Sequence, residues 1–159
     1  MRTCARAIVA LWAVAGLSLA ARADVAPLPA SSVPAAPTPV GRWRTFDDKT
    51  GREKSIVEIW EKDGKLFGKV LTVLHPKEPD PRCVKCEGDL KDARVTGMTM
   101  LWDLKKDGDH YTGGRILDPE NGKTYKCKVK LAGGGARLEV RGFIGLSLLG
   151  RTQTWEREP

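Results

Sequence analysis

Cys83 and Cys86 stand in a proline- and charge-rich stretch, His75-Pro76-Lys77-Glu78-Pro79-Asp80-Pro81-Arg82-Cys83-Val84-Lys85-Cys86, and their spacing allows three kinds of chemistry. A local disulfide needs only an oxidising compartment. A redox-active dithiol needs a thiolate, which Arg82 and Lys85 would favour. That motif, however, belongs beside a βαβ unit, and the surrounding sequence offers none. Zinc needs two further ligands from His75, His110 or Cys127, and no second C-x-x-C supplies them. The expected state is the disulfide, holding a long loop in place. Cys127 falls on the apolar face of an alternating segment, where a cysteine acts as a small buried hydrophobe.

Other reactive constellations are missing. His75 opens the proline-rich loop and His110 follows Asp107-Gly108-Asp109, neither within a nucleophile motif. Ser147 lies in Gly145-Leu146-Ser147, which is not the G-x-S-x-G elbow. The acid pairs Asp47-Asp48 and Asp107/Asp109 suit turns, and Gly133 to Gly135 suit a hairpin rather than a phosphate. No catalytic residue, metal or cofactor is expected.

The chain's first residues set the compartment. Arg2 and Arg6 precede an apolar run from Ile8 to Ala20, and Ala21-Arg22-Ala23 fits an A-x-A-like cleavage site. Residues 1–23 thus read as a secretory signal, with cleavage near Ala23 and a periplasmic or secreted product. The apolar run is shorter than the ~20 residues a membrane span needs. Three arginines leave with the signal and no acid does, so a net charge of +7 falls to +4. Such a mild excess suits solubility and weak attraction to anionic surfaces, and nucleic acid is not an expected partner. Residues 24–39 carry five prolines among Ala, Ser and Thr and read as a disordered tether. Residues 40–159 form one domain.

That domain reads as short strands with turns between them: 41–46, 54–61, 65–74, 94–104, 110–117, 123–131, 137–141 and 151–157. Lys123 to Leu131 alternates cleanly, with Tyr125, Cys127, Val129 and Leu131 on one face and lysines on the other. Asp63-Gly64, Asp107-Gly108 and Asn121-Gly122 are hairpin signals. No long stripe of helical period interrupts them. The expected fold is all-β, an up-and-down antiparallel barrel of about eight strands that closes on itself.

Gly41-Arg42-Trp43 opens the first strand, and Trp155 and Arg157 end the last. This pattern resembles the lipocalin-like group of small barrels. The resemblance implies barrel closure by Trp43 with Arg157 packed across its ring, and Trp155 nearby. A wider set of segments runs through nearly the whole domain: Asp63-Gly64-Lys65-Leu66-Phe67-Gly68, Gly114-Arg115-Ile116-Leu117-Asp118-Pro119, Gly122-Lys123-Thr124-Tyr125 and Gly150-Arg151-Thr152-Gln153-Thr154-Trp155. Together with the Cys83/Cys86 pair they resemble a bacterial family of exported domains of unknown function. The resemblance brings a lipocalin-like barrel but no activity and no catalytic residues.

The connection between the last two strands is the sequence's anomaly. Phe143, Ile144, Leu146, Leu148 and Leu149 make it apolar, although loops run over the surface. It is expected to serve as a lid or plug, as core, or as a docking surface for an envelope protein or a membrane. Met98, Met100, Trp102 and Leu104 fall on one face of the fourth strand and line either a filled core or a pocket. Arg141, Arg151 and Gln153, if inward, would anchor the polar head of an apolar ligand; the alternation of Arg141 with Leu138 and Val140 favours an outward side chain there. An eight-stranded barrel is about wide enough to be filled or to hold one small ligand. The expected function is binding of a small, largely apolar or lipid-like molecule. Docking through 143–149 is the alternative, and a redox or metal role for Cys83 and Cys86 is the third.

Overall fold

A computed structural model describes residues 37–159. The expected signal, 1–23, and the greater part of the expected tether lie outside the described residues. Eight strands follow in order: β1 (Gly41–Phe46), β2 (Glu53–Lys62), β3 (Lys65–Val73), β4 (Thr99–Asp107), β5 (His110–Asp118), β6 (Lys123–Ala132), β7 (Arg137–Phe143) and β8 (Gly150–Arg157). Each pairs antiparallel with the next, and β1 pairs with β8, closing an up-and-down barrel. Alternation in the sequence becomes alternation in space. Val57 and Ile59 of β2, Cys127 and Val129 of β6, and Leu138 and Val140 of β7 are all buried and form one cluster.

The meander gives the barrel two unlike ends. Strands β2–β3, β4–β5 and β6–β7 are joined at one end by short turns. Asp63-Gly64 has both residues in the left-handed region, φ 52° and 70°, as a tight hairpin requires. At the other end lie the connections 47–52, 74–98, 119–122 and 144–149, of which 74–98 is long. The short-turn end is closed. Trp43 is fully buried there and donates its indole N–H to the Pro39 carbonyl at 2.8 Å. The Arg157 guanidinium lies 4.2 Å from the centre of the Trp43 ring. Its nitrogens donate to the carbonyls of Gly135 (2.7 Å), Thr38 (2.7 Å) and Val40 (3.1 Å). The flat cation satisfies its ring face and its edge at once, which lysine cannot do. Pro39, the last residue assigned to the tether, is buried in this floor. The seam between β1 and β8 is short, pairing Trp43 with Arg157 and Arg44 with Glu156.

The fourth strand differs from its sequence reading. It begins at Thr99 rather than at residue 94, and residues 94–98 finish the preceding loop. Asp103 adopts φ 60°, which breaks the alternation within β4. Leu101 and Leu104 therefore both enter the main core. The expected stripe of Met98, Met100, Trp102 and Leu104 is split. Met98 is buried against Cys83, Cys86 and Leu117, under the long loop. Trp102 packs on the edge of that second cluster and lies in an outer groove with Trp60 and Phe67.

Candidate functional site

The mouth of the barrel, opposite the Trp43 floor, holds a cavity of about 1290 Å³. It exists because the inward positions near this end are small. Where the closed half carries Trp43, Ile59, Leu66 and Leu138, the open half carries Thr45, Ser55 and Gly142. Trp155 lies between the two halves: it belongs to the core cluster and also lines the cavity. Val70, Met100 and Ile116 supply apolar wall, and Tyr125 joins them from β6. All four mouth connections contribute to the rim, through Lys49 and Arg52, His75 and Lys77, Glu120 and Asn121, and Ile144 and Leu149.

The polar side chains deepest in the cavity are already engaged with one another. The Thr45 and Ser55 hydroxyls share a buried hydrogen bond of 2.7 Å. The Trp155 indole N–H donates to the Gln153 side-chain oxygen at 3.3 Å, and the Gln153 amide donates to Asp48 at 2.9 Å. Arg151 also pairs with Asp48. The Asn121 amide donates to the Tyr125 hydroxyl at 3.0 Å and to Asp118 at 2.9 Å. Among the described residues no buried side-chain nitrogen or oxygen lacks a partner. Below the charged rim, a guest meets buried polar atoms that are already paired and the apolar side chains of Val70, Met100, Ile116 and Trp155. Polar guests would lose water without recovering its bonds.

The expected pocket residues thus divide. Met100, Gln153, Arg151 and Phe143 line the cavity. Gln153 and Arg151 meet there, joined through Asp48 rather than left free for a ligand head. Met98 and Trp102 are not in the cavity wall: Met98 precedes β4 and lies under the long loop, and Trp102, next to the inward Leu101, faces the outer groove. Arg141 is directed away from it. Its guanidinium donates to the carbonyls of Ser147 (2.8 Å) and Leu148 (3.1 Å) and to the Thr152 hydroxyl (2.8 Å), gripping the apolar connection from its flank. Leu146 and Leu148 are 71% and 85% exposed, so they neither plug the cavity nor join the core. The barrel-closure residues Trp43 and Arg157 meet as the resemblance implied, and Trp155 sits one level above them. Thr45, Ser55, Val70, Ile116, Tyr125 and Gly142 were not singled out from sequence. The small inward residues were its only signal, and strand register alone shows that they share a level.

Cys83 and Cys86 are joined in a disulfide and both are buried. They fasten the 74–98 loop over Leu117 of β5, and Gly122 marks how closely that loop is held. A side-chain carbon there would come within 1.9 Å of the Lys85 carbonyl oxygen, and the backbone has φ 72° besides. The loop is tied further by Asp80, which pairs with Arg82 and Arg94, and by a bridge between residues 82 and 94. Among the described residues no group of three or more His, Cys, Asp or Glu side chains could hold a metal. His75 and His110 are far apart in the barrel, at opposite ends.

Cys127 is buried among β-strand neighbours, and burial pushes its thiol up to about 12 from 9.0. Thiol reagents should therefore leave Cys127 untouched in the folded protein and modify it once the chain is unfolded in denaturant. The same shift has a sign for stability. Above pH 9 the unfolded thiol ionises while the folded one stays protonated, so the folded state binds more protons and stability falls as pH rises towards 12. Denaturant titrations from pH 8 to 11 should show this loss, and the Cys127→Ala variant should lose less over the same range.

Comparison with known proteins follows the fold. None of the curated proteins matches the chain. Among solved structures, it is similar to protein HP1028 from the human pathogen Helicobacter pylori, described as belonging to the lipocalin family. The two share 24% identity, the match covers 77% of this chain and 84% of the other, and the TM-score is 0.68. That likeness places the barrel among lipocalin-like folds. Residues 41–157, from the first residue of β1 to the last of β8, match the family described as "uncharacterized protein conserved in bacteria (DUF2147)", and the chain belongs to that family.

Proposed function

We propose that this protein is an exported, periplasmic barrel that binds a small, largely apolar, lipid-like molecule in its mouth and performs no chemistry on it. One observation carries the reading: a cavity of about 1290 Å³ whose buried polar atoms are paired among themselves, whose inner wall includes Val70, Met100, Ile116 and Trp155, and whose unpaired charges stand at the rim. Sites of this kind gain affinity from apolar area and use their few polar groups for orientation. The lipocalin-like fold is consistent with such a role, and the leader sequence supports export. Purifying the protein from a bacterial periplasm and recording native mass spectra should reveal a population heavier than the bare chain. An organic extract of the same sample should contain the matching apolar compound. A single species at the bare mass, together with failure to take up any added fatty acid or phospholipid, would sink the proposal.

A further inference from the structure

The 143–149 connection is an apolar prominence held out in water. Ile144, Leu146, Leu148 and Leu149 are 66%, 71%, 85% and 77% exposed, the four most exposed large hydrophobic side chains among the described residues. Nothing in their chemistry would keep them there. The hold is polar: Arg141 binds the Ser147 and Leu148 carbonyls, and the Leu149 N–H donates to the Leu146 carbonyl at 3.1 Å, closing a turn with Gly145 at φ 67°. Side-chain bonds that fix an apolar turn in an exposed shape preorganise it for burial elsewhere. Contiguous exposed apolar surface of this kind marks contact with a protein or a membrane.

Charge at the same end decides between them. Ile144 and Leu149 share the mouth with Lys49, Arg52, Lys77 and Lys85. These four cations are exposed and lie in none of the protein's ion pairs among the described residues. Most acids of the mouth are engaged: Asp48 with Arg151, Glu120 with Lys54, Asp80 with Arg82 and Arg94, and Asp47 with the Thr50 hydroxyl and N–H. Glu78 is exposed and in no ion pair among the described residues, one acid against the four free cations. An aliphatic prominence beside uncommitted lysines and arginines matches a bilayer surface bearing anionic headgroups. There the leucines enter the acyl boundary and the cations meet phosphates. We propose that the barrel docks mouth-first on an anionic lipid membrane through the 143–149 connection. The inference stands on the prominence and its flanking charges, so it does not require the cavity to be occupied.

Vesicle flotation tests it. The protein is mixed with vesicles of phosphatidylcholine alone, or of phosphatidylcholine partly replaced by phosphatidylglycerol. It should float with the anionic vesicles, bind the neutral ones more weakly, and be released from the former by added salt. The double variant L146D/L148D alters side chains that neither line the cavity nor enter the core, so it should keep the native circular dichroism. Its partition should weaken at least about tenfold, given the apolar area removed from the contact. K77E/K85E should lose most of the preference for anionic vesicles. Equal flotation of L146D/L148D and the parent would overturn the proposal, as would binding indifferent to phosphatidylglycerol. So would a parent protein that ignores vesicles but sediments as a dimer that L146D/L148D abolishes, since the occupant would then be a second copy. Apolar cargo found by native mass spectrometry in a protein that never floats would leave the cavity reading standing and the docking reading refuted.

Discussion

Replacing Trp43 with alanine is expected to destabilise the barrel by about 3–5 kcal/mol, the range for deleting a buried tryptophan from a core. The side chain is completely buried, and its loss would leave a void in the one end that is sealed. It would also remove the donor to the Pro39 carbonyl and the ring on which Arg157 rests. Arg157 would then hold three carbonyls of the floor with an open face above it. Since a domain's whole stability is commonly about 5–15 kcal/mol, the variant should unfold at much lower urea, with the slope of the transition little changed. Trp43→Phe separates the contributions. It keeps a ring beneath the guanidinium and most of the volume but cannot donate to Pro39, so its transition should fall between those of Trp43→Ala and the parent. A Trp43→Ala protein as stable as the parent would mean that the floor does not secure the barrel.

Ligand binding should be lost when the missing side chain of Gly142 is restored. Gly142 lies on β7, lines the cavity, and has a backbone that other residues adopt. A Cβ built there meets Ile116 and Tyr125 at 3.6 Å, ordinary van der Waals contact. The Gly142→Leu variant thus sends its branch into the space that a guest would occupy, without strain at its root. We expect affinity for an apolar probe to fall by roughly a hundredfold or more, the scale of displacing a few buried methylene groups. Stability should hold or rise, because the new side chain fills a void and replaces glycine in a strand. Fluorescence titration with a fatty-acid probe and a parallel urea curve would read both. Weakened binding with equally weakened folding would instead indicate a damaged wall, and unchanged binding would place the guest elsewhere.

Much of the architecture was legible because its physics is local. Period-two alternation and Asp-Gly or Asn-Gly turns place strands wherever a half-buried sheet is needed, and β6 shows the alternation directly after its Asn121-Gly122 turn. The Cys83–Cys86 link was legible from the leader, which implies an oxidising compartment, since the spacing alone left three chemistries open. The fourth strand was not, because one left-handed residue, Asp103, moves the next inward position from 103 to 104. Aspartate tolerates that conformation without announcing it. The cavity was hidden for another reason. Thr45 and Ser55 lie on neighbouring strands and Gly142 far along the chain, and only register shows that these small residues share a level. Trp60 and Phe67 show the converse. They stack across β2 and β3 with ring centres 5.9 Å apart on the outer surface, although aromatics in a barrel invite assignment to its interior. The fate of the 143–149 connection rests on a side chain bonding carbonyls six and seven residues away, a contact that no hydropathy pattern records.

The short seam between β1 and β8 is the least laced part of the barrel wall. Its backbone ladder spans Trp43 and Arg44 near the floor, and towards the mouth the two edges are linked through Asp48, which receives Arg151 and Gln153. Seven of the eight strand pairs are laced along most of their length; this one is laced at its foot and joined at its lip by charge. Salt weakens an exposed link of that kind and leaves the laced foot alone. The upper part of this seam therefore answers to the ions around it, whereas the other seven are held by backbone ladders and the packing of the core.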